Sequence, residues 1–217
     1  AYDYCLIGCV EPAVTGKEWP ACGGSGKESY FNFAGCVVLA INNGINPLTG
    51  KKAGLPTGYL YEMQSFDEVL DAFERQLAYF LDWHTTMTNV YEIAAQELHP
   101  IPLVSATMEG CMESGRDVIW GGAKYNGTGV SGIGVANVAD SLAAIKYMVF
   151  DEKRCTAREL YDALMANWEG YEPLRQEILN CSKHYGNDDD YVDRYARLLG
   201  NLYADRVNGT RSPRGYY

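Results

Sequence analysis

The chain has 217 residues, of which 47% are hydrophobic and 12% aromatic, a composition typical of a folded globular protein. Its formal net charge of -10 argues against nucleic-acid or anionic-membrane partners, because no basic surplus is available to neutralise phosphates. No run approaches the roughly 20 apolar residues that span a bilayer, so we expect a cytoplasmic protein.

The first segment with a chemical pattern is residues 7–12, in which Cys9 and Glu11 are two positions apart. Pro12 disfavours a helical conformation for Glu11, and side chains two apart in an extended segment point to the same side. Cys9 and Glu11 are therefore expected to face one substrate. The alternative is a buried structural cysteine beside an incidental glutamate, since free cysteines are among the most buried residues.

Cysteine usage favours reduced thiols. The seven cysteines lie at positions 5, 9, 22, 36, 111, 155 and 181, an odd number without C-x-x-C spacing. A disulfide framework or a zinc site would show even counts or close pairs. Composition alone does not single out a reactive member, and Cys9 is chosen on its surroundings.

The stretch after this motif predicts a loop and then a buried element. Residues 13–29 are rich in glycine, serine and lysine, which is typical of a loop that either lines a pocket or crosses the surface. The apolar run 33–41 predicts a buried helix or strand ending at Asn43 and Gly44, residues that tolerate a left-handed conformation.

The clearest helix is predicted to begin at Ser65, which forms a capping-box pattern with Glu68. Its apolar residues recur at helical spacing as far as Leu98, where two prolines follow. An unbroken helix of about 34 residues would be a rod of roughly 50 Å, a length suited to a large scaffold.

The middle of the chain offers weaker signals. Residues 103–106 predict a short strand, and Glu109 and Glu113 would share a face if they were helical, either as an acid/base pair or as a solvated surface. Residues 127–132 satisfy G-x-G-x-x-G, but the dinucleotide-binding pattern also needs an apolar strand before it. An unrelated nucleotide-binding enzyme is thus a weak alternative.

The last third of the sequence predicts helices. Residues 135–150 are amphipathic, and Thr156 with Glu159 forms a second capping box, opening a helix through Trp168 that Gly170 closes. A short helix is predicted over 174–181. Residues 188–190 are aspartates that cap a final helix, with a metal site as the alternative.

Residues 8–12, Gly-Cys-Val-Glu-Pro, resemble the catalytic cysteine loop of the glycyl radical enzymes, the family of pyruvate formate-lyase. The resemblance continues in the family's order and covers most of the chain. It implies an α/β fold, helix-rich with few strands, that is part of a ten-stranded α/β barrel of the glycyl radical enzyme type with Cys9 on an interior loop. The further stretches that carry the resemblance are residues 30–33, 40–44, 121–126, 138–146 and 185–189.

The resemblance also implies a chemistry. A thiyl radical at Cys9 would abstract a substrate hydrogen, and Glu11 would act as general base or acid. Gly8 stands where pyruvate formate-lyase carries a second cysteine, which favours a radical lyase that eliminates from, or decarboxylates, a small organic substrate. A pyruvate formate-lyase-type C-acetyltransferase and a catalytically silent scaffold relative are the alternatives.

Residues 1–217 are expected to be part of a pyruvate formate-lyase-like catalytic domain, without its N-terminal part or its C-terminal glycyl radical domain. Arg214 and the two residues after it match the radical loop only superficially, because Ser212 stands where that loop has its arginine. We expect no directly bound cofactor or metal. The resemblance implies an S-adenosylmethionine-dependent radical activating enzyme as partner, a homodimer when complete, and an anaerobic bacterial cytoplasm or microcompartment.

Overall fold

The computed structural model describes residues 3–7, 11–19, 29–181 and 183–216. Two compact units divide the chain. The first comprises Ala1–Phe31, Leu81–Gly132 and Asp205–Tyr217, and the second comprises Asn32–Phe80 and Ile133–Ala204.

Helices dominate the described residues, as the sequence predicts, and a π-helix follows the fifth of them at Lys146–Asp151. None of these helices is both long enough and apolar enough to cross a membrane. In chain order the α-helices are α1 (Phe33–Ile41), α2 (Phe66–Leu98), α3 (Pro102–Ser105), α4 (Cys111–Ser114), α5 (Val135–Ile145), α6 (Ala157–Met165), α7 (Glu172–Cys181) and α8 (Asp190–Val207).

The strands within the described ranges are short and form two-stranded sheets. β1 pairs with β2 and β7 with β8, both antiparallel, β3 pairs in parallel with β5, and β4 pairs with β6. The strands are β1 (Tyr4–Ile7), β2 (Glu11–Val14), β3 (Glu18–Trp19), β4 (Ser29–Asn32), β5 (Tyr125–Asn126), β6 (Val130–Ile133), β7 (Arg211–Ser212) and β8 (Gly215–Tyr216).

Helix α1 is the buried element predicted over 33–41, and it packs against α5 in the second unit. The predicted end of α1 is confirmed, since Asn43 and Gly44 have φ values of 52° and 72°. At Gly44 a Cβ atom would lie 2.2 Å from the carbonyl oxygen of Leu55. The chain needs glycine there for space as well as for conformation.

Helix α2 confirms the predicted long helix and its cap. The backbone N–H of Glu68 donates to Ser65 Oγ at 3.4 Å, and Glu68 Oε2 accepts from the backbone N–H of Gln64 at 3.1 Å. These bonds satisfy donors that the first turn leaves free. The first half of α2 buries an apolar stripe that includes Phe73 and Leu77.

The second half of α2 has the opposite arrangement. Its buried side chains are polar, and its exposed side chains are mostly apolar. The polar face of this half is therefore buried, and its apolar face is exposed. The buried residues are Thr88, Glu92 and Gln96, and the exposed apolar stripe comprises Trp83, Met87, Val90, Tyr91, Ile93 and Leu98.

One predicted strand and one predicted helix end are wrong. The strand predicted over 103–106 is replaced by helix α3, which begins with Pro102 in the first turn, a position that accepts proline. Helix α6 ends at Met165, and Trp168 follows it with φ 67° instead of continuing it. The N–H of Trp168 donates to the carbonyl of Ala163 at 2.8 Å, which closes the helix before the predicted end.

The remaining capping predictions are confirmed. Thr156 Oγ1 accepts from the N–H of Glu159 at 3.0 Å, and Asp189 Oδ1 accepts from the N–H of Tyr191 at 2.9 Å just inside α8. The second half of the G-x-G-x-x-G segment, residues 130–132, lies in strand β6. The dinucleotide pattern instead needs a glycine turn that leads into a helix, so the segment lacks that context.

Candidate active site

Strands β1 and β2 flank the predicted catalytic cysteine. They form an antiparallel hairpin in which Ile7 pairs with Glu11 and Leu6 with Pro12. Residues 8–10, and with them Cys9, lie outside the described residues, as does the side chain of Glu11. The extended backbone predicted for Glu11 is confirmed, and the shared orientation of the Cys9 and Glu11 side chains stays a prediction.

The open end of the hairpin is fixed by local hydrogen bonds. The N–H of Thr15 donates to the carbonyl of Asp3 at 2.7 Å, and the N–H of Val14 donates to Glu18 Oε2 at 3.0 Å. Ala13 is buried at 1% exposure, whereas Tyr4 and Leu6 are exposed. The hydrogen bonds stabilise the end of the hairpin at which β1 begins and β2 ends.

A second set of bonds attaches the hairpin to the middle of the chain. The N–H of Tyr125 donates to the carbonyl of Lys17 at 2.9 Å, extending the β3–β5 pairing, and the N–H of Glu109 donates to the carbonyl of Gly16 at 2.8 Å. Trp19 packs against the buried cluster formed by Cys111, Val118, Ile119 and Ala123. The hairpin is therefore anchored directly after its second strand.

Glu109 and Glu113, considered above as an acid/base pair, both have structural roles. Lys124 Nζ lies 2.5 Å from Glu109 Oε1, and its hydrogen bond lowers the pKa of Glu109 while raising that of Lys124. Glu113 Oε2 accepts from the N–H of Gly110 at 2.9 Å, at the start of α4. Glu109 lies outside that helix, so the predicted shared helical face is absent.

The glycine-rich stretch 121–126 supports strand β5 through close backbone packing. At Gly122 a Cβ atom would lie 2.2 Å from the carbonyl oxygen of Arg116. Asn126 Nδ2 donates to the carbonyls of Gly121 and Ala123, at 3.1 and 2.5 Å. Small residues are needed here because the segment folds tightly beside the strand that anchors the hairpin.

A buried ion pair, which sequence reasoning missed, lies in the same unit. Arg214 and Glu92 have side chains only 4% and 6% exposed, and Arg214 Nη2 lies 3.1 Å from Glu92 Oε1. Arg214 also donates to the carbonyls of Trp19 at 3.1 Å and Gly127 at 2.7 Å. One side chain thus connects the end of β3, helix α2 and the segment after β5.

A signal for this pair was present in the sequence. Thr88, Glu92 and Gln96 recur every four residues and form a polar stripe on α2. Thr128 Oγ1 donates to Glu92 Oε1 at 2.8 Å, so the stripe is satisfied by segments distant in sequence. The stripe indicated a buried polar face, whereas its partner 122 residues away could not be read from spacing.

The other cysteines that the structure describes have the character of structural thiols. Cys5, Cys36, Cys111 and Cys155 are free. Burial raises the pKa of Cys36 to about 12 and is the main cause that raises the pKa of Cys155 to about 11. Burial also raises the pKa of Cys111. Because the thiolate is the nucleophilic form, these three positions are poorly reactive.

The pyruvate formate lyase-like family matches the chain over residues 1–217. The chain therefore belongs to this family, and the resemblance inferred from the sequence is confirmed.

Dehydratases and glycyl radical enzymes are among its relatives. The chain is 42% identical to (2S)-3-sulfopropanediol dehydratase of Klebsiella oxytoca, over 99% of this chain and 26% of that protein. The glycerol-bound B12-independent glycerol dehydratase of Clostridium butyricum matches with TM-score 0.86 and 38% identity, over 99% of this chain and 26% of that one. A glycyl radical enzyme of Archaeoglobus fulgidus matches with TM-score 0.84 and 32% identity, over 98% and 26%.

These structural matches confirm the predicted fold class, a helix-rich α/β fold of the glycyl radical enzyme type. The chain spans about a quarter of the length of these relatives.

Proposed function

We propose that the whole protein is a glycyl radical dehydratase and that residues 1–217 are the part of its catalytic domain that carries the thiyl-radical cysteine, Cys9. One observation carries the proposal: Gly-Cys-Val-Glu-Pro stands at the hairpin between β1 and β2 in a chain of the pyruvate formate lyase-like family. The similarity to two dehydratases favours loss of water over the other eliminations.

The proposed substrate class is a small vicinal diol. Glycerol carries hydroxyls on adjacent carbons, and the name (2S)-3-sulfopropanediol also places its two hydroxyls on adjacent carbons. A vicinal diol offers both groups that the reaction needs, a hydrogen on a hydroxyl-bearing carbon and a leaving hydroxyl beside it.

In the proposed reaction, the Cys9 thiyl radical takes a hydrogen atom from one hydroxyl-bearing carbon, breaking its C–H bond and forming S–H. Glu11 accepts the proton of the hydroxyl on this carbon, and the neighbouring C–O bond breaks. The departing hydroxide receives the proton from Glu11 and leaves as water. The resulting radical, on the carbon next to the new carbonyl group, takes the hydrogen atom back from Cys9. This step restores the thiyl radical and releases an aldehyde or ketone.

The rest of the protein supplies the other parts of this proposal. The initiating radical would be stored on a glycine outside these 217 residues and installed by an S-adenosylmethionine-dependent activating enzyme. The whole protein would act as a homodimer in the cytoplasm or a microcompartment of an anaerobic bacterium. The chain by itself would be inactive.

The test is a set of variants of the whole protein, assayed anaerobically after activation, with glycerol and 1,2-propanediol as substrates. Cys9→Ser should abolish turnover, because an O–H bond is too strong for a glycyl radical to break. Cys5→Ser is the matched control in the same hairpin, since its hydroxyl can still donate to the carbonyl of Ala13, where the thiol lies 3.7 Å away. Cys5→Ser should keep full activity.

Glu11→Gln removes the proton-transfer group while keeping its shape, and we expect turnover to fall about 10²–10⁴-fold. Glu18→Gln is its control, because an amide oxygen can still accept from the N–H of Val14. Formation of acetyl-coenzyme A from pyruvate would favour the acetyltransferase alternative. An activated protein that retains its radical but consumes no diol, sulfonate, amine or carboxylate substrate would favour the silent relative.

A further inference from the structure

The second unit contains a half-open cleft with a volume of about 510 Å³. Four helices form it, and its lining is mainly apolar, including Val37 and Ile41 from α1, Ala144 from α5, Leu164 from α6 and Leu179 from α7. Ligand pockets for small organic molecules have volumes of about 300–1,000 Å³ and are lined mainly by apolar side chains. The size and lining therefore suit a small molecule with an apolar body.

The lining also contains polar side chains. Asp140 and His184 are the two that can carry a charge. Asp140 Oδ1 accepts from the N–H of Tyr185 at 2.7 Å, whereas Asp140 Oδ2 lies 3.7 Å from His184 Nδ1, beyond hydrogen-bond reach. His184 Nε2 lies 3.3 Å from the carbonyl of Leu179. The carboxylate is thus hydrogen-bonded through one oxygen. Its second oxygen forms an ion pair with His184 only when that imidazole is protonated, and otherwise it can accept a bond from a ligand.

Asp140 and Tyr185 belong to two of the stretches that carry the family resemblance, 138–146 and 185–189, and His184 directly precedes the second of them. The hydrogen bond between Asp140 and the N–H of Tyr185 joins these stretches. The chemistry proposed for Cys9 and Glu11 uses neither of them, and both belong to the other unit. A separate role is open to them.

Trp168 lines the same cleft from an unusual backbone position. It has φ 67°, and Asn167 before it has φ 48°. This backbone closes α6, because the N–H of Trp168 donates to the carbonyl of Ala163 at 2.8 Å, and Trp168 therefore follows the helix instead of continuing it.

We propose that this cleft binds a small organic ammonium ion whose apolar body packs against the apolar lining and whose protonated amine is held by Asp140 Oδ2. Charge complementarity carries the choice of ligand, because Asp140 is the one carboxylate among the described lining residues and the chain's net charge is -10. Trp168 also lines the cleft, and the face of a tryptophan ring attracts an ammonium ion that lies within about 6 Å of it.

The test is a calorimetric titration of the whole protein at neutral pH with 2-phenylethylammonium chloride. The uncharged 2-phenylethanol, which has nearly the same size and shape, serves as the comparison ligand. We expect saturable binding of the ammonium ion with one site per chain and at least about tenfold weaker binding of the alcohol, since a charged hydrogen bond is roughly twice as strong as a neutral one.

Three variants locate the site. Asp140→Asn retains an amide oxygen for the N–H of Tyr185 but loses the charge, and it should weaken ammonium binding about tenfold without affecting the alcohol. Trp168→Leu should also weaken ammonium binding. Asp162→Asn is the matched control, because this carboxylate of α6 pairs with Arg158 at 2.9 Å and does not line the cleft.

Equal binding of both ligands, unchanged binding in Asp140→Asn, or no saturable binding of the ammonium ion by the wild type would overturn the proposal. The titration needs neither the radical nor turnover. Its failure would leave the proposed dehydratase function standing, and inactivity of the enzyme would leave the binding result interpretable.

Discussion

Replacing Arg214 with methionine tests the importance of the buried ion pair that anchors the strand after the hairpin. The substitution keeps an unbranched side chain of similar length and removes the guanidinium group. Four hydrogen bonds are lost, two to Glu92 Oε1 and one each to the carbonyls of Trp19 and Gly127. Glu92 keeps Thr128 as a donor, and its Oε2 has no partner among the described residues.

The expected loss is large because the pair is buried. With side chains 4% and 6% exposed, solvent cannot replace the guanidinium, and removing one partner of a buried pair costs about 3–5 kcal/mol. By contrast, Arg206 and Asp82 form a pair whose side chains are 48% and 58% exposed. Removing that pair with Arg206→Met should cost about 1 kcal/mol or less.

Native-state hydrogen exchange of the whole protein, followed on peptides that include residues 127–133 and 211–216, measures this difference locally. A loss of 3–5 kcal/mol corresponds to exchange faster by about two to four orders of magnitude for amides that exchange through this opening. The double variant with Glu92→Met should recover most of the loss, since no buried charge remains. Arg214→Met with exchange no faster than that of Arg206→Met would refute the reasoning.

Three further predictions concern other parts of the chain. Gly122→Ala should lower the unfolding midpoint of the whole protein, because the added Cβ has no room. Gly200→Ala, in α8 with nothing within 4 Å of an added Cβ, should instead raise stability by about 0.5–1 kcal/mol. Equal midpoints for the two variants would contradict the packing described for residues 121–126. Iodoacetamide at pH 8 should leave Cys36 unlabelled in the native protein, where its pKa is about 12, and should label it after denaturation, as measured by mass spectrometry. Labelling of the native protein as fast as that of a free thiol would show that Cys36 is accessible. The isolated chain should aggregate or bind a hydrophobic dye through the exposed stripe of α2, and the variant Trp83→Lys should bind less dye. A monomer with a sharp cooperative melt and no dye binding would show that residues 1–217 are an independent domain.

Local patterns predicted the elements that depend on neighbouring residues. The caps at Ser65 and Thr156 were readable because each partner lies three residues further on. The end of α1 was readable because Asn43 and Gly44 tolerate a left-handed backbone. Extended backbone at Glu11 followed from Pro12.

Patterns failed where tertiary contacts decide the structure. A four-residue apolar segment such as α3 fits a strand or a helix equally well by periodicity. Trp168 falls on the helical stripe of α6, yet the chain closes that helix earlier. The partners Arg214 and Glu92 are 122 residues apart, and no spacing rule connects them.

The candidate site was accessible mainly through the resemblance of residues 8–12 to the glycyl radical enzymes. Composition could not distinguish Cys9 from six other cysteines. The structure adds the hairpin around Cys9 and the bonds that anchor it, while the relative placement of the Cys9 and Glu11 side chains stays a prediction.

The most direct test of the proposed radical chemistry measures two quantities on one sample of activated Cys9→Ser whole protein. These are the glycyl radical, by electron paramagnetic resonance, and the rate of diol dehydration. We predict a radical signal comparable to that of the wild type together with no detectable turnover, because the radical forms on another part of the chain and cannot pass to a serine hydroxyl. Turnover equal to that of the wild type would contradict the assignment of Cys9 as the thiyl-radical residue.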